Sequence, residues 1–248
     1  MCLIVFAWRP DHAQPLIVAA NRDEFYARPS LPLAQWPEAP DVYAGRDLEA
    51  GGTWLGIGAN GRFAALTNIR DPHQPPSRKS RGELVAGFLL GDRTIDDYLG
   101  DVVRRSIEYA GFNLLMGNAN ELWHFNARES EAVMLPPGVY GLSNAGLDTP
   151  WPKLLKARAA LEKELADPKP QALLALLGDS QAAPFTELPD TGVGLATETL
   201  LSSVFIASQS YGTRASTALI VQADGTRHMV ERSFGPYGGH LGEVEIRV

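Results

Sequence analysis

Two stretches decide the reading of this chain: Met1-Cys2-Leu3-Ile4-Val5-Phe6-Ala7-Trp8, and Leu16-Ile17-Val18-Ala19-Ala20-Asn21-Arg22-Asp23-Glu24. Each apolar run is rich in strand-forming residues, and Arg9 to Gln14 between them is turn-like, so together they predict a hairpin. Pairing Trp8 with Pro15 across the turn brings Cys2 beside Asn21, immediately before Arg22, Asp23 and Glu24. Directly paired residues have Cβ atoms about 4.5–5.5 Å apart, so the chain start meets a polar strand end.

Outward from this hairpin the pattern runs in blocks. Gly52 to Ile57 and Arg62 to Asn68 flank Asn60-Gly61, a pair suited to a tight turn with positive φ. Between the two hairpins the reading is a Pro-rich loop. Asp71 to Ser77 also reads as a loop, and Ser80-Arg81-Gly82-Glu83 as a capping box before a helix, with a second helix from Thr94 to Tyr109. Strands return between Phe112 and Leu142, and helices from Trp151 to Ala166 and Lys169 to Leu177. A loop follows, and then strands at 203–208, 214–222, 226–231 and 243–248. Strands, helices, strands, helices, strands predict an α+β fold of antiparallel sheets with helices outside. A four-layer α/β/β/α sandwich is one solution, here as a single domain over residues 1–248.

With 29 acidic and 22 basic residues the net charge is −7, and no basic stripe stands ready for a phosphate backbone, which argues against nucleic acid. One cysteine permits no internal disulfide and no Cys-x-x-Cys metal site, and it fits a reducing, cytoplasmic setting. The opening apolar run lacks a basic leader, and no apolar run reaches the roughly 18 residues needed to span a bilayer, so integral membrane association is not expected. The five histidines show no ligand spacing, and neither a metal nor a cofactor is predicted. Oligomeric state is not encoded in any motif.

Cys2 follows the initiator methionine, whose removal would expose a thiol and a free α-amine on one residue. Their reference pKa values are about 8.5 and about 7.7–8.0, so the amine can take the thiol proton near neutral pH. Arg22 nearby favours thiolate. The other reading of Cys2 is a small apolar residue opening a buried strand. Arg22 and Asp23 are strand neighbours on opposite faces, so at most one of them reaches Cys2 directly.

Several motifs, in order along almost the entire chain, resemble the NRDE family, which includes the animal transport-and-Golgi-organisation proteins. They are Met1-Cys2, Asn21-Arg22-Asp23-Glu24, Thr67-Asn68-Ile69-Arg70 and Gly111-Phe112-Asn113-Leu114-Leu115. Gly141-Leu142-Ser143-Asn144, with Asp148 to Lys153 after it, and Tyr211-Gly212-Thr213-Arg214 complete the set. That family is similar to N-terminal-nucleophile hydrolases of the penicillin V acylase, bile salt hydrolase and acid ceramidase kind, which cleave linear amides with an N-terminal cysteine. The resemblance implies Cys2 as nucleophile, Arg22 and Asp23 as the polar pair after the first hairpin, Arg214 as the distal arginine and Asn144 as the oxyanion-hole asparagine. In the bile salt hydrolase pattern the arginine and aspartate are two residues apart; here they are adjacent. Asn68 and Asn113 also remain oxyanion or substrate-binding candidates, with Asn21 beside them.

Other motifs fail their context. Gly56-Ile57-Gly58-Ala59-Asn60-Gly61 matches a dinucleotide pattern but joins two strands with no helix after it. Gly141 to Ala145 approaches a nucleophile elbow, making Ser143 a rival nucleophile, but that elbow belongs to a largely parallel sheet. The expected function is a Cys2-dependent amidohydrolase or acyltransferase acting on a small-molecule linear amide or thioester. The alternative implied by the resemblance is a non-catalytic carrier or trafficking protein holding haem or a lipid-derived ligand in the same cleft.

Overall fold

The computed structural model describes residues 2–74, 77 and 79–248. Met1, whose removal the sequence reading expects, lies outside the described residues, as do Pro75 and Pro76 of the expected loop and Arg78. In chain order the first half carries β1 (Cys2–Trp8), β2 (Leu16–Phe25), β3 (Ser30–Trp36), β4 (Ala39–Asp47), β5 (Leu55–Ile57), β6 (Phe63–Asn68), α1 (Gly82–Leu90) and α2 (Ile95–Arg105). Next come β7 (Phe112–Gly117), β8 (Leu122–Asn126), β9 (Glu131–Met134), β10 (Gly138–Leu142), α3 (Pro152–Glu164), α4 (Pro170–Leu176), α5 (Leu195–Leu201), β11 (Tyr211–Val221), β12 (Arg227–Phe234) and β13 (His240–Arg247). The chain forms two compact units, one of residues up to 27, 70–72 and 137–248, the other of residues 28–69 and 73–136. Each contains one antiparallel sheet, so the α+β class expected from the block order is what the chain adopts.

The first unit holds the strand order β10-β1-β2-β11-β12-β13. All seven residues of β1 are buried, which explains why that stretch reads as continuous apolar sequence rather than alternation. Leu3, Val5, Ala7, Ile17 and Ala19 turn one face toward Leu154, Ala157 and Leu161 of α3 and Leu173 and Leu174 of α4. Each such leucine contributes roughly 1.5–3 kcal/mol by leaving water. Both helices open on proline, whose missing N–H is no loss in a first turn. Gly141 in β10 lets α3 approach closely: a Cβ there would stand 2.5 Å from Leu154 Cδ2.

The first hairpin forms, one residue out of the expected register. Arg9 N–H donates to Pro15 C=O at 2.8 Å, so Pro15 closes the loop and the ladder starts at Trp8 opposite Leu16. Cys2 therefore faces Arg22, and Asn21 faces Leu3. A one-residue slip exchanges faces, so this offset decides which polar residue stands beside the sulfur. Between β2 and β11 a bulge inserts Arg214: Thr213 opposes Asp23 and Ala215 opposes Arg22.

The second unit orders its strands β3-β4-β5-β6-β7-β8-β9. Leu84, Val85, Phe88 and Leu89 of α1, with Ile95, Leu99 and Val102 of α2, pack on Leu66, Phe112, Leu114, Met116 and Phe125. Asn60 and Gly61 take φ of 55° and 71°, turning Ile57 opposite Phe63 as the Asn-Gly pair predicts. The stretch expected as a Pro-rich loop is instead the β3–β4 hairpin; Pro32 is tolerated because β3 is an edge strand. The expected capping box does not form: α1 has no side-chain cap, and the Glu83 carboxylate accepts from Tyr109 and Arg105. Residues 203–208 are not a strand. They leave α5 with Val204 and Ile206 buried, an apolar spacing that reflects burial without a ladder. Among the described residues, no helix is long and apolar enough to cross a membrane.

Candidate active site around Cys2

Cys2 opens β1 with its side chain on the face it shares with Arg22, and it is 7% exposed. The end of β10 runs alongside. Leu142 opposes Ile4, so Ser143 and Asn144 continue toward residue 2. Ser143 Oγ donates to Cys2 C=O at 3.2 Å and lies 3.3 Å from Asn144 Oδ1, while Asn144 C=O accepts from Arg70 N–H at 2.7 Å. Asn144 is thereby fixed by its backbone in a buried position beside the start of the chain.

From the other side β2 brings Asp23. Its carboxylate accepts from Thr213 Oγ1 at 2.8 Å, and its backbone C=O accepts from Tyr211 Oη at 3.2 Å. Its backbone N–H is directed at the Cys2 sulfur. Arg70 and Glu198, both buried, form an ion pair, and the Arg70 guanidinium lies 4.5 Å from the centre of the Trp151 ring. Glu198, on α5, also accepts from Thr191 N–H at 2.8 Å and from Thr191 Oγ1 at 2.5 Å. Lys153, in the first turn of α3, is 2% exposed.

These groups shape one another's charge. Burial pushes the Cys2 thiol above its ordinary pKa and the Asp23 charge adds to that, while Arg22 and the Asp23 N–H pull the other way. Burial likewise raises the Asp23 carboxyl, against Lys153, the Thr213 hydroxyl and Arg70. Burial drives the Lys153 ammonium down to about 8, against the attraction of Asp23. Tyr211 is held protonated, first by burial and then by Asp23 and Cys2. The sulfur thus sits in a buried setting with several polar and titratable groups, the kind of environment in which perturbed groups mark functional sites.

The remaining sequence candidates lie as follows. Asn21 donates to Leu177 C=O at 3.0 Å and Val204 C=O at 2.8 Å, and accepts from Ser216 Oγ at 2.6 Å. Arg214, half-buried at the bulge, donates to Phe25 C=O at 3.2 Å. Asn68 and Asn113 belong to the second unit. Asn68 ends β6 opposite Phe112, and Asn113 donates to Thr67 Oγ1 at 3.1 Å and lies 3.1 Å from His124 Nε2. Arg70, Lys153, Tyr211 and Thr213 were present in the quoted motifs but carried no assigned role. Glu198 had no sequence signal, since the stretch that forms α5 reads as a loop. Among the described residues, no group of three His, Cys, Asp or Glu side chains is placed to hold a metal ion.

The profile of the family described as Transport and Golgi organisation 2 matches residues 1–236. The mouse Transport and Golgi organization 2 homolog is 38% identical over 256 residues, covering 94% of this chain and 93% of that protein. The Drosophila melanogaster Transport and Golgi organization protein 2 is 29% identical over 269 residues, covering 94% and 92%. Among solved structures, the Caenorhabditis elegans N-acylethanolamine-hydrolyzing acid amidase ortholog superposes with a TM-score of 0.53 at 11% identity, over 90% of this chain and 96% of that one. That likeness is one of fold, the N-terminal-nucleophile hydrolase fold expected above. By the extent of the profile match and of the animal relatives, this chain belongs to the Transport and Golgi organisation 2 family.

Proposed function

We propose that this protein is an N-terminal-cysteine amidohydrolase or acyltransferase acting on a small linear amide or thioester. The observation that carries the reading is the company Cys2 keeps: Arg22 opposite it, the Asp23 N–H at its sulfur, and Asn144 on the neighbouring strand end. A cysteine that merely filled a core would have apolar neighbours instead.

In this reading removal of Met1 frees Cys2 as the first residue. Sγ attacks the carbonyl carbon and its proton passes to an amine, in the first instance the α-amine of Cys2. The Asn144 side-chain amide donates to the developing oxyanion. Arg22 favours thiolate, Asp23 fixes the strand end, and Arg214 meets the outer part of the substrate. The leaving amine or thiol departs with a proton, and water or a second nucleophile releases the acyl group.

The test compares wild type with Cys2→Ala on a panel of N-acyl amides and acyl thioesters, with intact mass of the mature chain. Turnover lost in the variant at unchanged melting temperature, and an acyl adduct on Cys2 in wild type, are expected. Full turnover by the variant, or a purified native chain that keeps Met1, excludes the mechanism.

A further inference from the structure

Ser143, which the sequence offers as a rival nucleophile, touches two acceptors and no base. Its Oγ donates to Cys2 C=O at 3.2 Å and lies 3.3 Å from Asn144 Oδ1. Neither a carbonyl nor an amide oxygen takes up its proton, so the hydroxyl is not activated for attack. It is buried, and it reaches a residue 141 positions away, so the contact is not a local turn bond of the kind serines often make.

The two contacts join the two parts of the site whose separation matters. Cys2 C=O belongs to the residue that becomes the chain end once Met1 is removed, where a strand frays unless it is held. The Asn144 main chain is fixed independently: its C=O accepts from Arg70 N–H at 2.7 Å. The loop that carries it is closed by Asp148, whose N–H donates to Gly141 C=O and whose carboxylate accepts from Gly141 N–H, both at 2.8 Å. What stays adjustable is the Asn144 amide, because the last torsion of an asparagine is broad and roughly two-fold. Its ends are opposite in effect: Nδ2 donates to an oxyanion, whereas Oδ1 repels one. A hydroxyl with one proton and an acceptor on either side shares that proton between them, which draws Oδ1 toward Ser143 and turns Nδ2 to the other side.

We propose that Ser143 is a positioning residue, whose one hydroxyl sets the Cys2 main chain and the Asn144 amide in a common frame with Nδ2 facing the oxyanion. When Sγ bonds to the carbonyl carbon, the π pair moves to the carbonyl oxygen and the thiol proton to the α-amine. The pair returns as the bond to the leaving group breaks, and that group departs with the proton. Ser143 exchanges neither proton nor electrons in these steps; it fixes where the oxyanion meets its donor. The inference rests on Cys2 as nucleophile and Asn144 as oxyanion donor.

Two reagents isolate this role. p-Nitrophenyl acetate acetylates Sγ through an oxyanion, and iodoacetamide alkylates the same Sγ without one, so the ratio of the two rates cancels thiolate fraction and access. Ser143→Ala is expected to lower the ratio about five- to tenfold, and Ser143→Thr, which keeps the hydroxyl, to stay within about twofold of wild type. Asn144→Ala is expected to lower it further, and adding Ser143→Ala to that variant to lower it no more, since no amide is left to orient. An unchanged ratio in Ser143→Ala, or single losses that multiply in the double variant, overturns the proposal. If the Ala variant fails to fold, Ser143→Val and Ser143→Thr, alike in shape and differing by the hydroxyl, decide in its place. Intact mass separates the two readings: a wild type alkylated but never acetylated on Cys2 sinks the nucleophile and this inference with it, whereas an acetylated wild type with an unmoved ratio in Ser143→Ala sinks Ser143 alone.

Discussion

Cys2 stands directly opposite Arg22 across the β1–β2 pair, one residue away from the partner that the turn composition suggests. The offset comes from the Arg9–Pro15 hydrogen bond that closes the loop. It places a guanidinium, instead of an amide, on the face of the sulfur. Replacing Arg22 with Met removes a charge that favours thiolate. Alkylation of Cys2 by iodoacetamide near neutral pH is expected to slow severalfold, up to about tenfold, with Arg22→Lys intermediate. An unchanged rate in Arg22→Met would show that the opposition has no electrostatic effect.

The Arg70–Glu198 pair is buried on both sides, and Glu198 also anchors Thr191. Glu198→Ala strands a buried guanidinium and should cost about 3–5 kcal/mol, read from urea unfolding. Replacing both partners with Met and Leu should recover most of that loss, because neither apolar side chain leaves a charge behind.

His124, buried in the second sheet beside Asn113, is pushed down to about 4 by burial. Above its unfolded value of about 6.5 it is neutral in both states, and its environment carries no penalty. As pH falls from about 6.5 toward 4, the unfolded chain takes up a proton that the folded chain refuses. Stability is lost across that window, by up to roughly 3 kcal/mol. Comparing unfolding free energies at pH 7 and pH 5 for wild type and His124→Gln isolates the contribution; an equal pH slope in the variant would contradict it.

Gly141 is the contact point between β10 and α3. A Cβ placed there meets Leu154 Cδ2 at 2.5 Å and Cγ at 2.6 Å, and Leu154 is itself fully buried. Gly141→Ala is expected to destabilise the fold by about 1–3 kcal/mol and, by pushing α3 outward next to Lys153, to lower activity. Adding Leu154→Ala should restore activity more than stability, since it relieves the overlap but leaves a cavity.

Much of this architecture could be read from residue order, and the exceptions have identifiable causes. Leu3 to Trp8, Leu16 to Ala20 and Asn60-Gly61 announce hairpins because burial and positive φ impose narrow residue choices. The β3–β4 hairpin escaped because Pro32 and Pro37 signal a loop, while an edge strand and a turn accept both. The short α5 escaped because it begins after Gly194 and buries only Glu198 and Leu201. Cys2, Arg22 and Asp23 could be nominated from the chain alone because a hairpin brings its two strand ends together, whereas Asn144 was singled out from the other asparagines only by the family resemblance. Lys153, Arg70 and Glu198 could not, since a charged residue in a helix turn or after a strand reads as a solvated one until packing removes the water.

The inserted Arg214 adds no rung to the ladder between β2 and β11. A chain lacking it would still set Thr213 against Asp23 and Ala215 against Arg22, with every other pairing of that strand unchanged. The position is therefore a spare tooth in an otherwise fixed gear. Its side chain can be exchanged, lengthened or dropped without re-threading the sheet, so what the protein presents at that edge can be retuned independently of the machinery that holds the sulfur.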